Sequence, residues 1–179
     1  MNVLEKALRS LIHYIREINM TILYANPYDT SYFGFYFDSL DKFNGKLSLA
    51  KFEEVEIEYH DGDNPKLFNA VGIYQNNVDI WFDELDQYSD TDDEATAIIF
   101  LIDFMDLNMA IQRHTEVVLH KGSIVDYASE LIDELYPVDD LPDIIKHHID
   151  YSGIARDMEL NSEVAEINHD LWVTNCMEF

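Results

Sequence analysis

The sequence predicts an α+β fold that is β-rich at its N-terminal end, helical in the middle and mixed at its C-terminal end. Three observations lead there. An alternating strand runs into a strong turn at Asp61-Gly62-Asp63-Asn64-Pro65; apolar residues recur at helical spacing from residue 67; short strands return between helices after residue 115. The 179 residues suit one compact domain or two to three very small ones. The changes of texture place divisions at 1–66, 67–114 and 115–179.

Residues 3–18 read as an amphipathic helix, with Leu4, Leu8, Leu11, Ile15 and Ile18 on one face. That stripe needs a partner surface, either the body of its own chain or a second copy. Thr21 to Ala25 and Tyr32 to Asp38 are rich in β-branched and aromatic residues, with Asn26, Pro27 and Asp29 as turn formers between them. In Phe52 to His60, Val55, Ile57 and Tyr59 alternate with Glu54, Glu56 and Glu58, a half-buried strand with a carboxylate ladder on its wet face.

Beyond the turn, Asn77 to Tyr88 is a helix with Val78, Trp81, Phe82 and Leu85 on one face. The acids Asp90, Asp92, Asp93 and Glu94 lead into Ala95 to Ile111, apolar nearly all round as a buried helix is. A short strand, Glu116 to His120, follows. Ser123 with Asp126 makes a capping box that opens a helix to about Tyr136. Asp140 and Pro142 start a short helix through His148, and a further helix covers Tyr151 to Leu160. Glu163 to Ile167 and Leu171 to Asn175 form a hairpin turning on Asn168-His169-Asp170.

Charge is the dominant feature. There are 36 acids and 11 Lys and Arg, a net of −25, yet 47% of the residues are hydrophobic, too many for a disordered chain. The carboxylates must therefore coat a folded body. Such a charge excludes direct binding to nucleic acid or to an anionic membrane, since both repel it. The sole cysteine, Cys176, allows no intramolecular disulfide, which suits a reducing cytoplasm. Charges interrupt the first stretch, so no signal peptide is expected, and the longest apolar run, Ala97 to Ile102, is far short of a membrane span.

The charge is also concentrated. Residues 67–145 hold 18 acids against only Arg113 and Lys121, a net of −16. Asp79, Asp83, Asp86 and Asp90 follow a 4-3-4 spacing, which on a regular helix forms one stripe. That stripe is roughly 16 Å long, with a charge about every 5 Å. Asp126, Glu130, Asp133 and Glu134 form a second stripe, facing away from Val125, Ala128, Leu131, Ile132 and Leu135. Asp139 and Asp140 extend it. Duplex DNA carries a charge every ~3.4 Å per strand, so the densities are comparable, and 25 charges match about 42 Å of duplex. Ordinary solvated faces mix signs and gain from i,i+4 Glu–Lys pairs, whereas compensating bases are nearly absent here. The partner implied is a DNA-binding protein with a basic groove.

Nothing points to catalysis, a cofactor or a metal. Asp90, Asp92 and Glu94 resemble a calcium loop only faintly, because Ala95 stands where the loop needs Gly and Leu101 where it needs Glu. His147 and His148 are adjacent, not at the i,i+4 spacing of zinc helices. Six glycines include no phosphate-binding loop.

The run Gly122-Ser123-Ile124-Val125-Asp126-Tyr127-Ala128, then Leu141-Pro142-Asp143, then His148 to Leu160 resembles the ArdA antirestriction proteins. Its most specific parts are Ile149-Asp150-Tyr151 and Ala155-Arg156-Asp157. The resemblance is good over about residues 115–175, weaker over 67–114 and faint over 20–66, and it does not include residues 1–19. It implies an elongated protein of three small domains that dimerises through its C-terminal part, with Asp150, Tyr151, Arg156 and Asp157 in the dimer region. It also implies a curved surface that imitates bent B-form DNA, fills the DNA groove of type I restriction–modification enzymes, and acts in the cytoplasm of a bacterial host. The rival readings are an inhibitor of another DNA-binding protein, such as a CRISPR effector or a nucleoid protein, and a metal-dependent enzyme built on clustered carboxylates.

Overall fold

The computed structural model describes residues 21–136 and 141–179. The amphipathic segment 3–18, Asp139 and Asp140 lie outside the described residues. The chain divides into two compact units between Ile111 and Gln112. Both contain helices and an antiparallel sheet, so the α+β class holds. No helix among the described residues is long and apolar enough to cross a membrane.

The first unit opens on a three-stranded sheet of order β2-β1-β3, formed by β1 (Ile22–Pro27), β2 (Phe35–Phe37) and β3 (Val55–Asp61). The alternation in β3 works as its pattern predicts: Val55 and Ile57 are buried while Glu56 and Glu58 are exposed. Asn26 and Pro27, expected in a turn, instead finish β1 opposite Glu56 and Val55. A proline is tolerated at a strand end, where its missing N–H costs no ladder bond. The turn comes later, where Asp29 accepts the Ser31 N–H through its side chain at 2.9 Å.

Between β2 and β3 lies α1 (Leu40–Leu47), which sequence periodicity does not reveal. Asn44 and Gly45 are poor helix formers, so the helix rests on its ends and on one buried side chain, Phe43. Ser39 caps its first turn, and Lys42 pairs with Asp38 at 2.6 Å.

Asn64 is fully buried and organises the turn before α2 (Pro65–Val71). Its side chain accepts from Thr21 Oγ1 at 3.0 Å and from Tyr59 Oη at 3.1 Å, and donates to the Tyr88 carbonyl at 3.0 Å. α3 runs from Val78 to Ile80 and continues as a π-helical turn, Trp81–Leu85, burying Val78, Trp81 and Leu85. The apolar stretch 95–111, expected as one helix, is two. α4 spans Asp93–Leu101 and α5 spans Leu107–Arg113. Asp106 causes the restart, its carboxylate accepting the Met109 N–H at 3.1 Å. One buried cluster, from Leu23 through Phe68 and Trp81 to Ile98, spans both sides of residue 66.

In the second unit a 3₁₀ turn (His114–Glu116) takes the start of the expected strand, leaving β4 as Leu119–Lys121. β4, β6 (Leu171–Val173) and β5 (Ala165–Asn168) form a sheet in that order. The helices are α6 (Ile124–Leu135), α7 (Asp143–Lys146) and α8 (Tyr151–Leu160). α6 and α8 bury Ile124, Ala128, Ala155 and Met158 in a core with Val164 and Trp172.

Candidate functional site

The acids singled out by sequence fall into three groups, and the structure treats them differently. The first surrounds α3. Asp79 and Asp83 are exposed on it, with Glu84 beside them. The even stripe ends there, because the π-turn alters the angular step and α3 stops before Asp86 and Asp90.

Asp86 is half-buried with Oδ1 unpartnered. Burial pushes its carboxyl above the ordinary 3.8, while hydrogen bonding from Thr21 and Asn64 pulls the other way. Asp90 reaches back across 24 and 23 residues to accept the N–H groups of Lys66 and Leu67, each at 2.9 Å. It caps α2, whose own N-cap residue, Asn64, makes no side-chain capping bond. Asp92, also half-buried, accepts the Ser89 N–H at 2.8 Å, whereas Asp93 and Glu94 stand exposed in the first turn of α4. There they meet the positive end of the helix dipole.

Asp86 and Asp90 therefore move stability in opposite directions. Asp90→Ala orphans two helix N–H groups and is expected to lower stability by about 1–2 kcal/mol. For Asp86 the raised folded value means the native state holds its proton more tightly than the unfolded chain. Its contribution is thus lost as pH rises from 3.8 through that raised value. Asp86→Asn is expected to stabilise the fold at pH 7 and to flatten the stability–pH curve in that acid window. Urea melts of both variants at several pH values check the pair; a destabilised Asp86→Asn at pH 7 contradicts the burial reading.

The second group lies along α6. Asp126, Glu130, Asp133 and Glu134 are all exposed, opposite the buried Ile124 and Ala128. Ser123 Oγ accepts the Asp126 N–H at 3.1 Å, the N-cap bond of the expected box, and donates to Asp126 Oδ2 at 2.8 Å, so the acid engages the cap through its hydroxyl. Leu135, expected on the inner face, is 62% exposed at the helix end. The four carboxylates span about 12 Å, a charge roughly every 4 Å. Several of the chain's bases are engaged elsewhere. Lys42 pairs with Asp38, Lys46 donates to the Tyr36 carbonyl at 2.7 Å, and Arg113 pairs with Glu116 at 2.8 Å.

The third group is the motif around α8. Asp150 caps it, accepting the Gly153 N–H at 2.9 Å. A Cβ at Gly153 would stand 2.7 Å from that carboxylate, so the glycine makes the cap fit. Tyr151 is half-buried, Ala155 is buried at 1% exposure, and Arg156 and Asp157 point to solvent. Local structure thus accounts for Asp150 and Ala155.

Comparison with known proteins decides the family. The family model described as antirestriction protein (ArdA) matches residues 29–173. The chain belongs to the ArdA antirestriction family. The match leaves residues 1–28, the amphipathic segment and β1 among them, outside the shared region. No match is found among curated proteins or among solved structures. Of the acids around α3, Asp90 helps to hold the first unit together by capping α2, whereas Asp86 is a half-buried carboxyl whose ionised form opposes the fold. Sequence spacing contained no signal for those two roles, because the groups they meet lie in distant segments.

Proposed function

We propose that this ArdA-family chain is a DNA mimic that occupies the DNA-binding groove of a type I restriction–modification enzyme in the bacterial cytoplasm. The observation that carries the reading is the all-acidic exposed face of α6, where carboxylates follow one another at nearly the spacing of phosphates along one DNA strand. Lys and Arg that normally hold phosphates meet Asp126, Glu130, Asp133 and Glu134 of the second unit instead, and Asp79, Asp83, Asp93 and Glu94 of the first unit offer further carboxylates of the same kind. Asp139 and Asp140, which follow α6 in sequence, add to the same charge in this reading. The mimic works as a homodimer through the region of Asp150, Tyr151, Arg156 and Asp157, which doubles the run of charge. Light scattering at micromolar concentration is expected to give about twice the 20.9 kDa chain mass; a strict monomer removes the doubled surface.

Affinity spread over many screened pairs has a signature. Each exposed pair contributes about 0.2–1 kcal/mol. Asp133→Asn alone is therefore expected to weaken inhibition no more than about sixfold. Neutralising all four α6 acids is expected to cost about 1–4 kcal/mol if the terms add. Titrating inhibition for single, double and quadruple variants, with circular dichroism as the folding check, reads this out. A thousandfold loss from one folded single variant, with its neighbours neutral, rules out mimicry.

A further inference from the structure

The C-terminal end of α1 borders an open hollow of about 430 Å³ in the first unit, lined by Asn44, Leu47, Ser48, Ala50, Phe52 and Glu53. A row of rings ties its floor to the core. Phe43 is buried, Phe35 lies 6.2 Å from it, Phe52 stacks on Phe35 at 6.4 Å, and Tyr32 ends the row 5.7 Å from Phe52. The wall at Glu53 is fixed through the backbone. Gln75 donates to the Glu53 carbonyl at 2.8 Å and accepts the Val55 N–H at 2.9 Å, while the Glu54 carbonyl accepts the Tyr28 N–H. Glu53 is thus held in place from both sides of the chain and remains exposed.

Three features of the hollow favour a cation. Glu53 supplies a carboxylate. The end of α1 presents the negative pole of the helix dipole. The rings of Phe52 and Tyr32 offer aromatic surface, whose faces attract positive charge. Of the two nearby bases, Lys46 is engaged at β2, donating to the Tyr36 carbonyl and lying over the Phe35 ring. Lys51 is exposed and is outweighed by Glu53 and Glu54. A guanidinium suits this set better than an ammonium does. It stacks flat on a ring, pairs with a carboxylate through two N–H groups, and gives up its weaker hydration more readily.

We propose that this hollow receives an arginine-bearing segment of the chain's protein partner. The arginine stem lies on Leu47 and Ala50, its guanidinium stacks on Phe52, and Glu53 pairs with it. The volume falls within the range of pockets that enclose drug-sized ligands, so it accommodates the arginine together with its neighbours. The partner's identity rests on the DNA-mimic reading, since the basic groove of a DNA-binding protein is where arginines stand exposed in number. A second copy of the chain is a poor occupant, because it brings the same net charge of −25.

Nuclear magnetic resonance titration of the full chain at about 150 mM salt tests the site with three capped tripeptides: Gly-Arg-Gly, Gly-Lys-Gly and Gly-citrulline-Gly. The arginine peptide is expected to shift the amides of residues 47–53 saturably and to bind about two- to fivefold tighter than the lysine peptide. The neutral citrulline peptide is expected to give no saturable shift. Glu53→Gln should weaken the arginine peptide about two- to sixfold. Ser48→Trp, which fills the hollow without changing the charge, should abolish the shifts. Equal affinity for arginine and lysine, or shifts confined to the acids of α6, overturns the proposal. A second arm measures inhibition of a type I restriction–modification enzyme. Ser48→Trp is expected to weaken it roughly tenfold with an unchanged salt dependence, and Glu53→Gln carries the same test if circular dichroism shows the tryptophan variant unfolded. Undiminished inhibition by a folded variant overturns the partner's use of the hollow, even where the α6 variants weaken as expected. A flat salt response of the unsubstituted chain removes the mimic instead, while the arginine preference of the peptides still supports the site.

Discussion

Inhibition of the target enzyme is expected to weaken by about 10³–10⁵-fold between roughly 50 and 200 mM salt. DNA-binding proteins that make 6–10 phosphate contacts lose about that much over this range, because released counterions must be taken up again. A protein surface that replaces phosphates with carboxylates inherits the same dependence. The exposed acids on α3, at the start of α4 and along α6 reach the number needed: Asp79, Asp83, Asp93, Glu94, Asp126, Glu130, Asp133 and Glu134. The free chain behaves in the opposite sense. Its net charge of −25 repels itself, so its melting temperature rises as salt is added from very low concentration. The two signs together separate a charge-matched interface from general salt sensitivity. Inhibition titrations across the salt series decide the first and thermal melts the second. A flat response of inhibition excludes the mimic, whatever the melts show.

Local patterns were legible wherever neighbours in sequence determine the outcome. The alternation of Val55 and Ile57 with glutamates, the capping box of Ser123 and Asp126, and the helix Tyr151–Leu160 all appear in the structure where the pattern puts them. What was illegible depends on distant partners. Asp90 has the spacing of a surface stripe and acts as the cap of a helix more than 20 residues earlier. Asp86 has the same spacing and is half-buried beside Thr21 and Asn64. The π-turn at Trp81–Leu85 is a packing outcome that a fixed 100° step cannot anticipate. For the candidate surface, then, the sign and density of charge could be read from composition and the outward acids of α6 from their spacing, but the inward roles of Asp86 and Asp90 could not.

Trp81→Ala is expected to cost the first unit about 3–5 kcal/mol, the range for truncating a buried aromatic. Trp81 is fully buried, and its ring meets Phe68 edge-on at 5.0 Å within the cluster that joins the sheet to α2, α3 and α4. Removing it leaves a cavity that the surrounding Val78, Leu85 and Phe68 cannot collapse to fill without moving the π-turn. The same side chain holds the inner face of α3, whose outer face presents Asp79 and Asp83, so inhibition is expected to fall along with stability. Trp81→Phe should cost less than the alanine. It keeps an aromatic ring in place and deletes an indole N–H that has no hydrogen-bond partner, so no bond is lost with it. This variant also leaves Trp172 as the single tryptophan, in the core of the second unit, where its fluorescence follows that unit alone. Urea unfolding followed by far-ultraviolet circular dichroism measures the loss for both variants. An alanine variant destabilised by less than about 1 kcal/mol would mean that Trp81 is not the anchor of the first core, since truncations that cheap are found at sites outside a packed interior.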